Sequence, residues 1–479
     1  MCGICGFTGE IVDRDRVLRE MAELITHRGP DSSGFYTDSS VAMGFRRLSI
    51  IDVDASGNQP IYNEDRTLVL TFNGEIYNYR QLRAELEGKG HRFYTQTDSE
   101  VLVHGFEEWG EEMLPRLRGM FGFAIWNTKD QSLFLARDFF GIKPVHYAQV
   151  GDHFVYGSEI KSILAFPGFE KKFNYATLDR YLSFQYAVPP ETFFEGVYCL
   201  LPAHFLWYRG GRVTVQRYWE PRFQPDESLS EAEAVDRIEK VFEDSVNAHK
   251  ISDVEVGCFL SSGVDSSYVS TYFADQKTFT VGFDFGDHYN EIHWAQDLSR
   301  EIGAEHHSQV ITSEEFWGNI KKVQYHMDQP LADPSCIALY FVSRLASQYV
   351  KVVLSGEGAD ELFGGYTVYN EPRVFRLYRA ILPQSVRTFL RKIVQKVPRR
   401  FKGQGFITRG EYPTNESFIG NAKMFGYEDK QRLLKDPSLA SRPQEITRKY
   451  YDRVKDLDDV TRMQYLDINL WMVGDILLK

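Results

Sequence analysis

Up to about residue 220, apolar positions come in short bursts rich in Val, Ile, Phe, Tyr and Trp, with Gly, Asn and Asp between them. This pattern predicts strands at 67–72, 121–126, 132–136, 154–156 and 205–208. Apolar residues three and four apart predict helices over 15–24, 79–87 and 99–109. Strands so numerous and mostly close in sequence favour antiparallel sheets, with the helices over their outer faces.

The rhythm then changes. Residues 222–229 hold two prolines and several charges without any period, as a linker does. Ser230 and Glu233 spell a capping box, after which Val235, Ile238, Phe242 and Val246 share one face of a long helix. A buried strand at 254–260 runs into the small-residue turn Ser261–Ser267, followed by a helix at 268–273. Further strands at 278–282, 307–311 and 350–354 alternate with helices at 291–302 and 337–349. Such alternation predicts a parallel sheet with helices on both faces and ligands at the strands' carboxyl ends. The expected division is therefore a domain over 1–221, a linker over 222–229 and a domain over 230–479. The apolar, helical stretch 466–479 stops without a cap, so the sequence is expected to be a fragment of a longer chain.

A length of 479 residues suits two or three domains, and 43% hydrophobic with 25% charged residues is ordinary globular composition. A net charge of −12 argues against a nucleic-acid or anionic-membrane surface. No apolar run reaches the roughly 18 residues that span a bilayer, and the acidic start is no signal peptide, so a cytoplasmic location is expected. The cysteines, at 2, 5, 199, 258 and 336, are too few and scattered for a disulfide framework. Cys2 and Cys5 spell C-x-x-C, but neither a preceding strand–helix unit nor two further zinc ligands at matching spacing accompany it.

Cys2 is the first candidate for chemistry. Its small side chain permits removal of Met1, and the freed α-amine, titrating at roughly 7.7–8.0 in model compounds, is a base within the same residue. Several polar groups stand where a core explanation fails. His27-Arg28-Gly29-Pro30-Asp31 is a turn, Arg46 and Arg47 open an apolar strand, and Asn73-Gly74-Glu75 reads as a turn at a strand end. Asp98 reads equally as a cap for the helix that follows.

Together these stretches resemble the glutaminase domain of the class II glutamine amidotransferases, an α+β N-terminal-nucleophile hydrolase sandwich of α/β/β/α layers. The resemblance extends through Leu117–Phe121, Ala136-Arg137-Asp138 and Gly141-Ile142-Lys143-Pro144. It implies Cys2 as the nucleophile on the glutamine amide, with the Asn73 amide and the Gly74 N–H as oxyanion hole. It implies glutamine binding by Arg47, Leu48, Ser49, Ile50, Ile51, Glu75 and Asp98, with Arg47 on the α-carboxylate and Asp98 on the α-amine. Phe139 stands where that family often has a basic residue.

In the second half, the run Ser355-Gly356-Glu357-Gly358-Ala359-Asp360-Glu361 puts three carboxylates at a strand end. With Ser261–Ser267, Thr280–Phe283 and Asp328-Gln329-Pro330, it resembles the ATP-pyrophosphatase domain of glutamine-hydrolysing asparagine synthetases, an α/β domain with a parallel sheet. That resemblance implies ATP binding by Phe259, Leu260, Ser261, Ser262, Gly263, Asp265 and Ser266, with Val281, Ser355 and Gly356 against the adenosine part. It implies Mg²⁺ on Asp265 and Asp360, and Glu357 assisting the ammonia step. Two positions depart from the pattern: Ser262 replaces a glycine, and Gln329 replaces a glutamate.

The resulting expectation is ATP-dependent transfer of the glutamine amide nitrogen to aspartate. Partners are then glutamine, aspartate and ATP, with no nucleic acid and no membrane, and a homodimer is compatible with this reading. The rival readings are the same chemistry on a peptide, sugar-acid or antibiotic-precursor carboxylate, and a glutaminase with a non-catalytic second domain.

Overall fold

The computed structural model describes residues 1–284, 286, 290–397 and 401–479. They form two compact units. The larger holds residues 1–173, 189–356 and 478–479, and the smaller holds 174–188 and 357–477.

The larger unit opens with β1 (Gly3–Thr8), β2 (Ser32–Thr37), β3 (Val41–Arg47), β4 (Ile61–Tyr62), β5 (Leu68–Ile76) and β6 (Gly119–Asn127). Then come β7 (Ser132–Arg137), β8 (His146–Val150), β9 (His153–Gly157), β10 (Val197–Cys199), β11 (His204–Arg209) and β12 (Arg212–Arg217). They build two antiparallel sheets, ordered β10-β8-β9-β1-β3-β2 and β12-β11-β7-β6-β5-β4. One core layer, with Ile4, Met43, Val69, Trp126 and Leu135, lies between the sheets. A second, with Phe7, Val17, Leu18 and Met21, lies under the helix Arg14–Glu23. A third, with Leu70, Phe72, Leu82, Leu102 and Phe123, lies under the helices Tyr79–Gly88 and Glu100–Trp109. The layers are therefore α/β/β/α.

Two expectations change here. Asn73-Gly74-Glu75 is strand and not turn, because β5 stays paired with β6 as far as Ile76 opposite Gly119. Asp98 does not cap the helix Glu100–Trp109; its carboxylate accepts the Ile76 N–H at 2.8 Å.

No helix or strand occupies residues 222–229, and Ser230 and Glu233 form the expected capping box on the helix Glu231–His249. Only the end of its apolar face is covered, at Phe242 and Val246, while Val235 and Ile238 are exposed. Four strands follow: β13 (Val256–Phe259), β14 (Lys277–Phe283), β15 (Glu305–Ile311) and β16 (Val352–Leu354). All pairs are parallel, in the order β15-β14-β13-β16. Val246, Val269 and Phe273 pack one face, and Phe341's helix packs the other through Val342 and Leu345. The chain reverses its direction of growth between β13 and β16, so their carboxyl ends flank the crevice where ligands of open α/β sheets bind. No helix among the described residues is long and apolar enough to cross a membrane.

The smaller unit is helical. Its segment 174–188 is tied to the rest by a buried ion pair, Lys430 Nζ to Asp179 at 2.6 Å, with the Ser441 hydroxyl also donating to Asp179. Asp467 accepts from the Tyr369 hydroxyl at 2.7 Å and the Asn421 N–H at 3.0 Å; burial pushes its carboxyl up to about 8. Asp179→Ala is expected to cost about 3–5 kcal/mol, because it leaves the Lys430 ammonium buried and unpaired. Urea unfolding checks this, and a joint Asp179→Leu, Lys430→Met replacement should cost far less.

Candidate active site

The register that pairs Gly3 with Arg46 brings Cys2 beside the residues that follow β3. The Cys2 thiol lies 3.6 Å from the Leu48 carbonyl, and the Leu48 N–H points back at Sγ from 3.4 Å. Burial raises the thiol above its ordinary value. Burial also depresses the terminal amine of Met1, to about 5, and Arg28 and Lys143 add to that depression. Cys2 and Cys5 face different layers, since three residues along a strand reverse the side chain's direction. All five cysteines are free, and Cys5 takes no part in the site.

Alternation along β5 turns Val69, Asn73 and Glu75 toward the layer between the sheets, which Cys2 also borders. Both polar atoms of the Asn73 amide are buried without a hydrogen-bond partner. An amide so placed costs free energy unless something fills its valence. The Phe72 N–H goes to Gln59 Oε1 at 2.6 Å and the Ile76 N–H to Asp98, so the Gly74 N–H between them points to the same edge. A side chain at Gly74 is impossible: a Cβ there would lie 2.1 Å from the Met120 carbonyl. Burial raises Asp98 to about 7, with the Glu75 carboxylate adding to the rise; Glu75 is itself raised by burial.

Arg47, which the resemblance places on the glutamine α-carboxylate, is occupied by the loop beside it. Its Nη1 donates to the Asp54 carbonyl at 2.7 Å and Asn58 Oδ1 at 3.0 Å, and its Nη2 to the carbonyls of Ile51 and Asp52. In the chain alone it gathers the loop 51–58. Of the other predicted positions, the Ser49 N–H donates to Asp31 at 2.8 Å and the Ile50 carbonyl accepts from Asp253. A cavity of about 330 Å³ borders Arg47, Ser49 and Asn58.

Three groups at this site had no role assigned from sequence; the motifs holding Arg28 and Lys143 were visible there, and Glu159 lay in none. Arg28 Nε donates to the Cys2 carbonyl at 2.9 Å, and its Nη1 bonds Glu159 at 3.0 Å. Burial opposes the ionised Glu159, but His27, Arg28 and Lys161 hold it well below the usual carboxylate range. Lys143 is buried, its ammonium 3.1 Å from the Met1 sulfur, and burial depresses it against the pull of Glu75.

In the parallel-sheet half, the turn after β13 is self-braced. The Ser261 and Ser266 hydroxyls meet at 2.8 Å, and the Gly263 N–H donates to Ser261 Oγ at 3.1 Å. Ser262 N–H donates to the Glu291 carboxylate at 3.2 Å, so this turn already offers a backbone donor to an anionic oxygen. Asp265 stands in the first turn of the helix Val264–Ser270, earlier than the sequence pattern placed that helix. Phe259 ends β13, the Leu260 N–H donates to the Phe279 carbonyl, and Val281 lies on β14. Gly356 lies against the turn: a Cβ there would be 2.8 Å from the Ser266 nitrogen. Ser355 precedes it in the larger unit, whereas Glu357 and Asp360 belong to the smaller.

An α/β/β/α sandwich introduced by Cys2, with a parallel nucleotide-binding type of sheet behind it, defines a glutamine amidotransferase of the N-terminal-nucleophile type. The glutamine amidotransferase domain family matches residues 1–219, and the asparagine synthase family matches residues 237–479. Asparagine synthetase [glutamine-hydrolyzing] 1 of Bacillus subtilis is 40% identical over 99% of this chain and 77% of its own. A putative asparagine synthetase [glutamine-hydrolyzing] of Mycobacterium bovis is 37% identical over 100% of this chain and 78% of its own. Amidase chyE of Penicillium rubens is 31% identical over 77% of this chain and 60% of its own. The chain belongs to the glutamine-hydrolysing asparagine synthetases, enzymes that take ATP as a substrate.

Gly356→Ala tests the crevice between β13 and β16. The added methyl forces the Asp265–Ser266 backbone aside, and such overpacking costs about 1–3 kcal/mol. ATP affinity, measured by calorimetry, should fall by roughly tenfold or more.

Proposed function

We propose that residues 1–221 release ammonia from glutamine at Cys2, and that residues 230–479 consume it in making asparagine from aspartate and ATP. Loss of Met1 frees the Cys2 α-amine and uncovers Lys143. The amine takes the thiol proton as Sγ bonds to the glutamine δ-carbon. The oxygen of the tetrahedral adduct gathers negative charge, which the Asn73 amide and the Gly74 N–H receive; each such donor is worth about 3 kcal/mol. The amine returns the proton to the nitrogen, the C–N bond breaks, ammonia leaves, and water converts the thioester to glutamate. Asp98 and Glu75 receive the substrate α-amine, and Arg47 exchanges its loop carbonyls for the α-carboxylate. Leu48 to Ile51 wall the pocket. The observation that carries this reading is the buried, unpartnered Asn73 amide on the layer that Cys2 borders.

In the second half, an aspartate β-carboxylate oxygen attacks the α-phosphorus of ATP and pyrophosphate departs. Ammonia then attacks the mixed anhydride, AMP leaves, and Glu357 takes the surplus proton. Ser261, Ser262, Gly263 and Ser266 cradle the phosphates, while Phe259, Leu260, Val281, Ser355 and Gly356 bound the adenosine. Magnesium favours oxygen donors and keeps several waters, so one or two carboxylates suffice to hold it. The partly exposed Asp265, beside a turn of backbone donors, fits that requirement. Asp265 and Asp360 would hold the ion, which neutralises phosphate charge when bound. A cytoplasmic setting, with its ATP and magnesium, suits this chemistry.

Cys2→Ala should abolish glutamine-dependent AMP formation and leave ammonium-dependent AMP formation intact. Equal loss of both would contradict the division of labour, and no AMP with aspartate and ammonium would move the acceptor to another carboxylate. A second expectation concerns pH. A carboxyl raised to about 7 is neutral below that pH, so Asp98 loses its hold on the substrate ammonium as pH falls. The KM for glutamine should climb below pH 7 while the KM for ammonia does not follow it, and Asp98→Asn should flatten the climb.

A further inference from the structure

Away from Cys2, the outer layer of the glutaminase half brings together Glu64, His91, His104 and Glu107. Glu64 follows β4, His91 follows the helix Tyr79–Gly88, and His104 and Glu107 lie three apart on the helix Glu100–Trp109, hence on one face. One ligand atom from each lies within 4.8 Å of all the others, the one such group of histidine, cysteine and acidic residues among the described residues. Glu64 lies 3.3 Å from His91 Nδ1 and 3.2 Å from His104 Nδ1, and Glu107 lies 4.0 Å from His91 Nδ1. A tetrahedral ion with bonds of about 2.0–2.1 Å sets its ligands about 3.3 Å apart, the spacing that separates Glu64 Oε1 from His91 Nδ1 and Glu64 Oε2 from His104 Nδ1. Both glutamates are exposed, and the Glu64 carboxylate, whose Oε1 also accepts the Arg92 N–H at 2.8 Å, has Oε2 left to turn toward an ion.

His104 supplies the independent observation. Its side chain is fully buried, and its Nδ1 has no hydrogen-bond partner. Its Nε2 faces Glu100 at 3.3 Å, and Glu100 is itself fixed by the N–H groups of Tyr94 and Thr95. With the proton on Nε2, the Nδ1 lone pair faces a Glu64 oxygen at 3.2 Å. Two electron-rich atoms so placed repel each other unless a proton or a metal ion joins them. A histidine backed by a carboxylate on its far nitrogen is the arrangement that orients metal ligands.

We propose that Glu64, His91, His104 and Glu107 bind one divalent transition-metal ion of the zinc class as a closed structural site. Two imidazoles and two carboxylates select such an ion over magnesium, which favours oxygen alone. The ion would pin the helix Glu100–Trp109 to the loops that flank it. That helix is preceded by a hydroxyl relay, Thr95 to Thr97 at 2.9 Å and Thr97 to Ser99 at 2.8 Å, which encloses Asp98.

The test uses the full chain without a histidine tag, stripped by a chelator and titrated with Zn²⁺ or Co²⁺ in excess Mg²⁺. The expected result is one equivalent of Zn²⁺ bound, a visible Co²⁺ spectrum of nitrogen–oxygen ligation, and a Tm that rises with metal. His91→Ala, at a partly exposed position, should weaken binding by about 100-fold and remove the Tm rise; His104→Ala risks misfolding and is secondary. Absence of binding, or binding unchanged in His91→Ala, overturns the proposal in favour of an imidazolium on His104 held between Glu64 and Glu100.

Discussion

A run of buried charges ties Cys2 to the second half of the chain. Arg28 holds the Cys2 carbonyl and Glu159; Lys161 bonds Glu159 and then Asp328, at 2.7 Å; and Asp328 accepts the Ile160 N–H. Arg28, Glu159, Lys161 and Asp328 each keep under a tenth of their side-chain surface exposed. Once such charges are out of water, each depends on its neighbours, and loss of one leaves the next uncompensated. The position of Cys2 is therefore set from two sides: by the β1–β3 register, and by a network ending in the loop after the helix Ser313–His326. The adjoining Gln329 reinforces that loop, its side-chain oxygen accepting the Phe193 N–H at 3.0 Å. The residue that departs from the family pattern thus has a structural occupation between the two halves.

The same exclusion of water governs the chemistry. Burial raises the Cys2 thiol and lowers the Met1 amine beside it, so with Met1 in place both groups favour their neutral forms. In the reaction proposed above, proton transfer from the thiol becomes favourable as charge develops on the substrate oxygen beside donors already in place. Arg28 and Lys143 act in one direction, lowering the amine, and Glu75 acts in the other. A dry site also keeps the released nitrogen as ammonia, the only form that is a nucleophile.

The layered architecture was legible because alternation and helical spacing are local. Strand cores at 68–72, 121–126 and 132–136 and the capping box at Ser230 lay where the pattern put them. Asn73-Gly74 misled, because the dipeptide favours a turn and only pairing with β6, some 45 residues on, keeps it extended. The cap read at Asp98 failed for a like reason: Ile76, 22 positions away, offers the donor. Arg47 was identified as a site residue, but the loop it gathers could not be foreseen from spacing. Lys143 stood inside a recognised motif, yet nothing in the sequence shows that it is buried against Met1. The small helical unit, which borrows residues 174–188 from the first half, is invisible to any reading that divides a chain by sequence order.

The turns after β13 and β16 show how glycine positions in two motifs obey different rules. Gly263 has φ −72°, and Ser262 is absent from the positive-φ residues, so neither dihedral requires a missing Cβ. A serine in place of glycine at 262 therefore fits without strain, and its side chain is exposed. At Gly356 the constraint is distance and not dihedral: the backbone after β16 lies against Asp265 and Ser266, leaving no room for a Cβ. Close approach of two strand ends at the point where the sheet reverses its order narrows the crevice in which the reading above seats the phosphates. At 262 the fold thus tolerates the departure from the family pattern, whereas at 356 two main chains meet and leave room for glycine alone.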